Sequence, residues 1–240
     1  MIALLKRVAR SHPEFERAAR RLVSLRYQIA LRHLRGVGVE VGALDLPLFL
    51  PRGARAYYLD RMTPSQLLEH YPEHAGRPLH VSFVADGETM ACVRDEALDF
   101  LIANHVIEHT QDPIGTLKTF CAKLKRGGVI YLAVPELTKT FDHKRTPTTW
   151  EHLLADHQDG PQHSRLQHYM EWATLVQDRS GTDAERFAAE LEAADYSIHF
   201  HCWTCADFAA FIARLSETLP LRVVEQRSWR NENIFILQKP

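Results

Sequence analysis

The sequence predicts an α/β fold in which a doubly wound, mostly parallel sheet is covered by helices on both faces. Three observations carry this expectation. Five short runs, VGVEV (37–41), AYYL (56–59), HVSFVA (80–85), LDFLIAN (98–104) and VIYLAVP (129–135), are apolar along most of their length instead of alternating, as strands buried on both faces are. Helical stretches separate several of them, the order expected of βαβ units. The 240 residues, 45% hydrophobic and 25% charged, suit one globular domain with room for an insertion.

Residues 1–35 stand apart. They hold nine Lys or Arg against Glu14 and Glu16, a charge of +7 beside −8 for the remainder. Phe15, Ala19, Leu22, Arg26 and Ile29 step by three or four, a helical stripe with a basic opposite face. A helix packed on the domain edge is expected, with peripheral contact to an anionic membrane surface or an acidic partner as the alternative. Residues 36–240 are expected to form one domain. Its first turn, EVGALDLP, has one glycine and then Pro47 and Pro51, so no full-length crossover helix follows the first strand. Residues 64–70 and 113–125 read as helices, the second closed by Gly127 and Gly128 as a C-cap. Residues 137–182 carry no strand signal and two helical stretches, around TTWEHLLADH and SRLQHYMEWATLV; they are expected to form a helical lid inserted after the fifth strand. Thr182 and Glu185 have the spacing of a capping box. A strand at HFHCW (199–203), a helix from Asp207 to about Thr218 and a closing strand NIFILQ (233–238) complete the reading.

Composition excludes several classes of function. The net charge is −1, so no overall field draws the chain to nucleic acid, and the −8 main domain offers no long phosphate track. No apolar run approaches the ~20 residues that span a bilayer. Four cysteines, Cys92, Cys121, Cys202 and Cys205, are too few for a disulfide scaffold, and IALLKRVAR is too short in its apolar part for a signal peptide. A cytoplasmic location is the expectation.

In an open α/β sheet, ligands bind beyond the carboxyl ends of the strands. Those ends read Gly42, Asp60, Asp86–Gly87, Asn104–His105 and Pro135–Glu136. Asp60 lies 18 residues after Gly42, near the ~20-residue spacing at which a carboxylate reaches ribose hydroxyls. A dinucleotide pyrophosphate wants several backbone N–H groups from a glycine-rich turn, which EVGALDLP lacks. The pattern therefore argues against NAD and leaves open an adenosine-type cofactor without phosphate.

EVGALDLP, YYLDR, VADGE and DFLIANHVIEHTQDPIGTLKTFCAKLKRGGVIYLAVPE together resemble the class I S-adenosylmethionine-dependent methyltransferases, whose sheet is Rossmann-like. The resemblance covers residues 37–136. FDHKRTPTTWEHL and HFHCWTCADF extend it to a subgroup found beside bacterial surface-polysaccharide enzymes. It implies S-adenosylmethionine as cofactor, with Gly42 and Ala43 against its methionine part, Asp60 and Arg61 at the ribose, and Asp86 and Gly87 at the adenine. Asn104 and His105 would flank the sulfonium. The glycine-poor first turn departs from the family pattern.

The implied reaction is methyl transfer to a small-molecule or glycan acceptor, most simply at a hydroxyl, which needs a base. His105, His109 and His152 are the candidates, and Arg145, Trp150 and His201 the candidates for holding the acceptor. HVIEH (105–109) also has the H-x-x-E-H order of an inverted zinc protease, but a strand leading into it and Pro113 soon after leave no long helix. It is similar at Glu108 and His109 to the E-x-x-E-H of ubiquinone-pathway and small-RNA methyltransferases, which bind a divalent ion; His105 replaces the first Glu. That resemblance makes Glu108 and His109, with His105 or His152, a candidate ion site. Two rival readings are a non-catalytic module that kept the sheet and a nucleotide-sugar oxidoreductase or epimerase. The latter lacks both its glycine-rich loop and a Tyr-x-x-x-Lys pair here.

Overall fold

The computed structural model describes residues 24–240. Seven strands form one sheet: β1 (Gly36–Val41), β2 (Ala54–Asp60), β3 (Phe83–Val84), β4 (Leu98–Asn104), β5 (Leu124–Pro135), β6 (Arg222–Trp229) and β7 (Glu232–Gln238). Their order is β3-β2-β1-β4-β5-β7-β6. Neighbours run parallel, except that β7 is antiparallel to both β5 and β6. The order reverses between β1 and β4, so the crevice expected of such sheets opens above those two strands.

Helices α1 (Leu25–His33), α2 (Pro64–His70) and α3 (Pro113–Lys123) belong to the sheet. Helices α4 (Trp150–Asp159), α5 (Gln162–Glu171) and α6 (Gly181–Ala193) follow β5, and α7 (Cys205–Leu215) precedes β6. One face of the sheet buries Val39, Leu101, Leu132 and Phe235 under α3 and α7. The other buries Phe100, Ile102, Tyr131 and Ile236 under α1 and the turn after β1, through Ile29, Leu34 and Leu48. Gly38 has no room for a side chain: a Cβ there would lie 2.3 Å from the Phe100 carbonyl oxygen and 2.4 Å from its ring. The lid has a separate core of Tyr169, Ala173, Ala188, Ile198 and Phe200.

Several local expectations need correction. HFHCW is no strand; its apolar residues are buried because they pack into the lid core and beneath α7, and only Trp203 bridges, to Glu136. β6 was not legible because RVVEQRSW is largely exposed at the sheet edge. Gly127 and Gly128 do not cap α3, since Leu124 is already extended and begins β5. Helix α6 starts at Gly181 with Ser180 as N-cap, so Thr182 and Glu185 make no capping box. Of HVSFVA only Phe83 and Val84 pair, at the edge. Phe15, Ala19 and Leu22 of the basic stripe lie outside the described residues. No helix among the described residues is long and apolar enough to cross a membrane.

Candidate functional site

The turn after β1 is shaped by a buried acid. Gly42 takes φ +64° and donates its N–H to Leu59 (2.9 Å), and no helix follows before β2. Glu40 accepts the Leu48 N–H at 2.9 and 3.0 Å and the Asn104 amide at 3.5 Å. Burial pushes its carboxyl up to about 7, against the pull of those donors. An acid raised above its unfolded value contributes most below about pH 4.5 and loses that contribution as pH rises through about 7. Glu40→Gln is therefore expected to remove a stability loss of about 1–3 kcal/mol between pH 5 and pH 8. Urea denaturation of both proteins at the two pH values tests this, and parallel losses would refute it. The same geometry turns Asn104 inward, and neither Asn104 nor buried Ala43 reaches the cleft wall, contrary to expectation.

That cleft has a volume of about 510 Å³ and opens at the carboxyl ends of β1, β2, β3 and β4. Gly42, Asp60, Arg61, Asp86, Gly87 and His105 all line it. Asp60 is nearly buried at the end of β2; its Oδ1 accepts the Met62 N–H at 3.2 Å, and burial raises its pKa despite that donor and Arg61. Gly87 lets the third turn approach β1, since a Cβ there would sit 2.9 Å from Val41. Asp86 accepts the Glu88 N–H at 2.7 Å. Sequence reasoning missed Tyr71, Gln111 and Tyr196 on the same wall; they come from a loop, a turn and the end of the lid, where no periodic pattern marks them.

His105 sits at φ +55°, a conformation rare outside glycine and often retained at functional sites. Its Nε2 lies 2.9 Å from Glu232 Oε2 and its Nδ1 3.5 Å from Glu108 Oε1. Arg26 holds the same Glu232 through both carboxylate oxygens. Burial alone would lower the His105 pKa, but the two carboxylates raise it to about 9. This pairing favours a hydrogen-bond donor at His105 over the base that was expected there. His109 is the opposite case. Its Nδ1 donates to the Ile198 carbonyl at 2.9 Å, leaving the Nε2 lone pair free, and burial pulls its pKa down to about 4.

Beside His109, Glu108 is buried with no hydrogen bond to either oxygen. Glu108, His109 and His199 each bring one ligand atom within 4.8 Å of the others. His199 Nδ1 donates to Asp142 at 2.7 Å, which turns its Nε2 toward Glu108, 4.0 Å away. Two imidazole nitrogens and a buried carboxylate without a hydrogen bond form a donor set that fits a divalent cation, with each ring oriented through its other nitrogen. The residue that the fold brings beside Glu108 and His109 in this cluster is His199, in place of the His105 or His152 that was expected; sequence alone offered no sign of it.

The expected acceptor residues lie elsewhere. Arg145 is buried, and its two terminal nitrogens are engaged with Asp142 (3.0 Å), Glu171 (2.9 Å) and the carbonyls of His199 (2.7 Å) and Phe200 (2.9 Å), while Nε has no partner. Trp150 packs on Phe211 with Arg214 over its ring. His152 and His201 meet in the lid, where His201 has no exposed surface. None of the four lines the cleft.

Residues 26–197 match the model of a family described as a methyltransferase domain. No curated protein matches the chain. Among solved structures, an S-adenosylmethionine-dependent methyltransferase from Methanosarcina mazei shares 13% identity over 89% of this chain and 97% of its own, with a TM-score of 0.49. Another from Thermotoga maritima shares 13% identity over 96% of this chain and 97% of its own, with a TM-score of 0.47. With the strand order above and a family match over most of its length, the chain belongs to the class I S-adenosylmethionine-dependent methyltransferases.

Proposed function

We propose that the cleft binds S-adenosylmethionine and that the enzyme methylates a hydroxyl of a small-molecule or glycan acceptor placed beside Glu108, His109 and His199. The observation that carries the reading is Asp60: a nearly buried carboxylate on the cleft wall at the end of β2, across from the Gly42 turn. It would accept hydrogen bonds from both ribose hydroxyls, and Asp86 and Gly87 would hold the adenine. When bound, the cofactor supplies an electrophilic methyl group, and the protein supplies alignment and a dry site. His105 is held by Glu232 at 2.9 Å as a donor that suits the methionine carboxylate. Glu108, His109 and His199 would hold a divalent ion, which supplies the Lewis acidity that lowers the pKa of a hydroxyl.

Calorimetric titration with S-adenosylhomocysteine, with NAD as control, tests the cofactor assignment. Micromolar binding of the first and silence for the second is expected; silence for both would favour the non-catalytic module. A chelator added to an acceptor assay is expected to stop transfer while leaving S-adenosylhomocysteine binding intact. Transfer that persists in the chelator would remove the ion from the reading.

A further inference from the structure

We propose that His152, Asp156, His168 and His201 form a zinc site in the lid, separate from the methyl-transfer cleft. The inference does not rest on the proposed function. Four ligand atoms from three parts of the chain converge within 4.8 Å of one another. His152 and Asp156 lie one turn apart on α4, His168 comes from α5, and His201 from the segment before α7. His152 Nε2 is 3.1 Å from Asp156 Oδ2 and 3.0 Å from His168 Nε2. The Nε2 atoms of His168 and His201 are 4.0 and 3.8 Å from the same Oδ2. A tetrahedral zinc with bonds of about 2.0–2.1 Å sets its ligands about 3.4 Å apart, in the middle of these distances.

The orientation of the carboxylate supports the same conclusion. Asp156 is fully buried. Its Oδ1 accepts the Ser164 hydroxyl at 2.5 Å, whereas Oδ2, the atom aimed at the three imidazoles, has no hydrogen bond. Ser164 thus plays the part of an outer hydrogen-bond partner that aims a ligand. Three imidazole nitrogens and one carboxylate oxygen suit zinc in four-coordinate geometry. Four protein ligands leave no position for a substrate, so the ion would be structural. It would tie both lid helices to the strip 197–204, which also carries His199. The His201 backbone N–H donates to the Glu108 carbonyl at 3.2 Å, and the next residue, His109, lines the cleft, so the staple would also brace the cleft wall.

The test uses the full chain carrying Glu108→Gln, which disables the other cluster. After dialysis this protein is expected to retain one zinc per chain. With cobalt in its place it should show the intense visible bands of a four-coordinate site. Adding His168→Ala, or separately Asp156→Asn, is expected to remove both signals, with circular dichroism and the cooperativity of urea unfolding reporting the fold. Should those variants fail to fold, X-ray absorption on the zinc-loaded Glu108→Gln protein decides, and three imidazole ligands support the site. No zinc bound by the Glu108→Gln protein, zinc retained by folded His168→Ala and Asp156→Asn variants, or a metal shell without three imidazoles would each overturn it.

Discussion

Asp60→Ala is expected to weaken S-adenosylhomocysteine binding by about 10- to 100-fold or more, with the fold unchanged. A hydrogen bond to a charged acceptor contributes about 1.5–3 kcal/mol, and under the proposed function the carboxylate at the end of β2 would accept two from one ribose. Asp60 makes one short-range contact of its own, to the Met62 N–H, so its removal leaves the sheet intact. Asp60→Asn separates charge from shape: it retains an acceptor and should fall between the wild type and the alanine variant. The direction of the pKa shift adds a second signature. Because burial raises the carboxyl above its ordinary range, affinity should fall on acidification at a higher pH than an exposed aspartate would give. Calorimetry across pH on the three proteins measures all of this. Equal affinities would mean that the cofactor does not sit against β2.

The largest effect on stability is expected from Arg145→Ala, a loss of about 3–5 kcal/mol, the cost of breaking a buried ion pair by removing one partner. Both Arg145 and Asp142 side chains are 1% exposed, so the remaining carboxylate stays dry, with only His199 and nearby hydroxyls to meet it. The carbonyls of His199 and Phe200 lose their donors as well. Although burial works against it, Asp142 is held below its usual range by His199 and Arg145. A depressed carboxyl contributes stability above its unfolded pKa and loses it as pH falls, so the gap between wild type and variant should narrow on acidification. Urea midpoints at neutral and acid pH measure this; a loss under about 1 kcal/mol at neutral pH would contradict the burial argument. Since Arg145 and Asp142 together fix His199, the variant should also disturb whatever His199 holds, although Arg145 itself touches no ligand.

These two residues mark what was legible in the sequence. Asp60 could be found because a strand end in an open sheet has a known place, and apolar runs locate strand ends to within a residue or two. The central strands β1, β4 and β5 and the missing first crossover helix follow from the same local signals. Arg145 was misread because its partners, the carbonyls of His199 and Phe200, lie more than 50 residues away. The surroundings of His105 and His152 were hidden in the same manner. Whether His105 is a base or a cation depends on Glu232, 127 positions later, and His152 finds its companions only when α5 and the 197–204 strip fold over it. HFHCW was taken for a strand because burial in a lid core and burial in a sheet produce the same apolar texture.

The antiparallel insertion of β7 between β5 and β6 has a consequence for how the chain acquires its chemistry. Glu232 opens β7 and holds Arg26 of α1 and His105 after β4, across separations of 206 and 127 residues. A chain emerging from the ribosome with its N-terminus first exposes α1, the cleft strands and the lid long before Glu232 exists. Until then, β5 has an open edge and His105 lacks the carboxylate that contributes to its charge. Contacts this distant in sequence form late and slow folding, and an unpaired edge is exposed to aggregation while it waits. The electrostatic state of the site is thus set by a strand made after the cleft strands and helices that it completes.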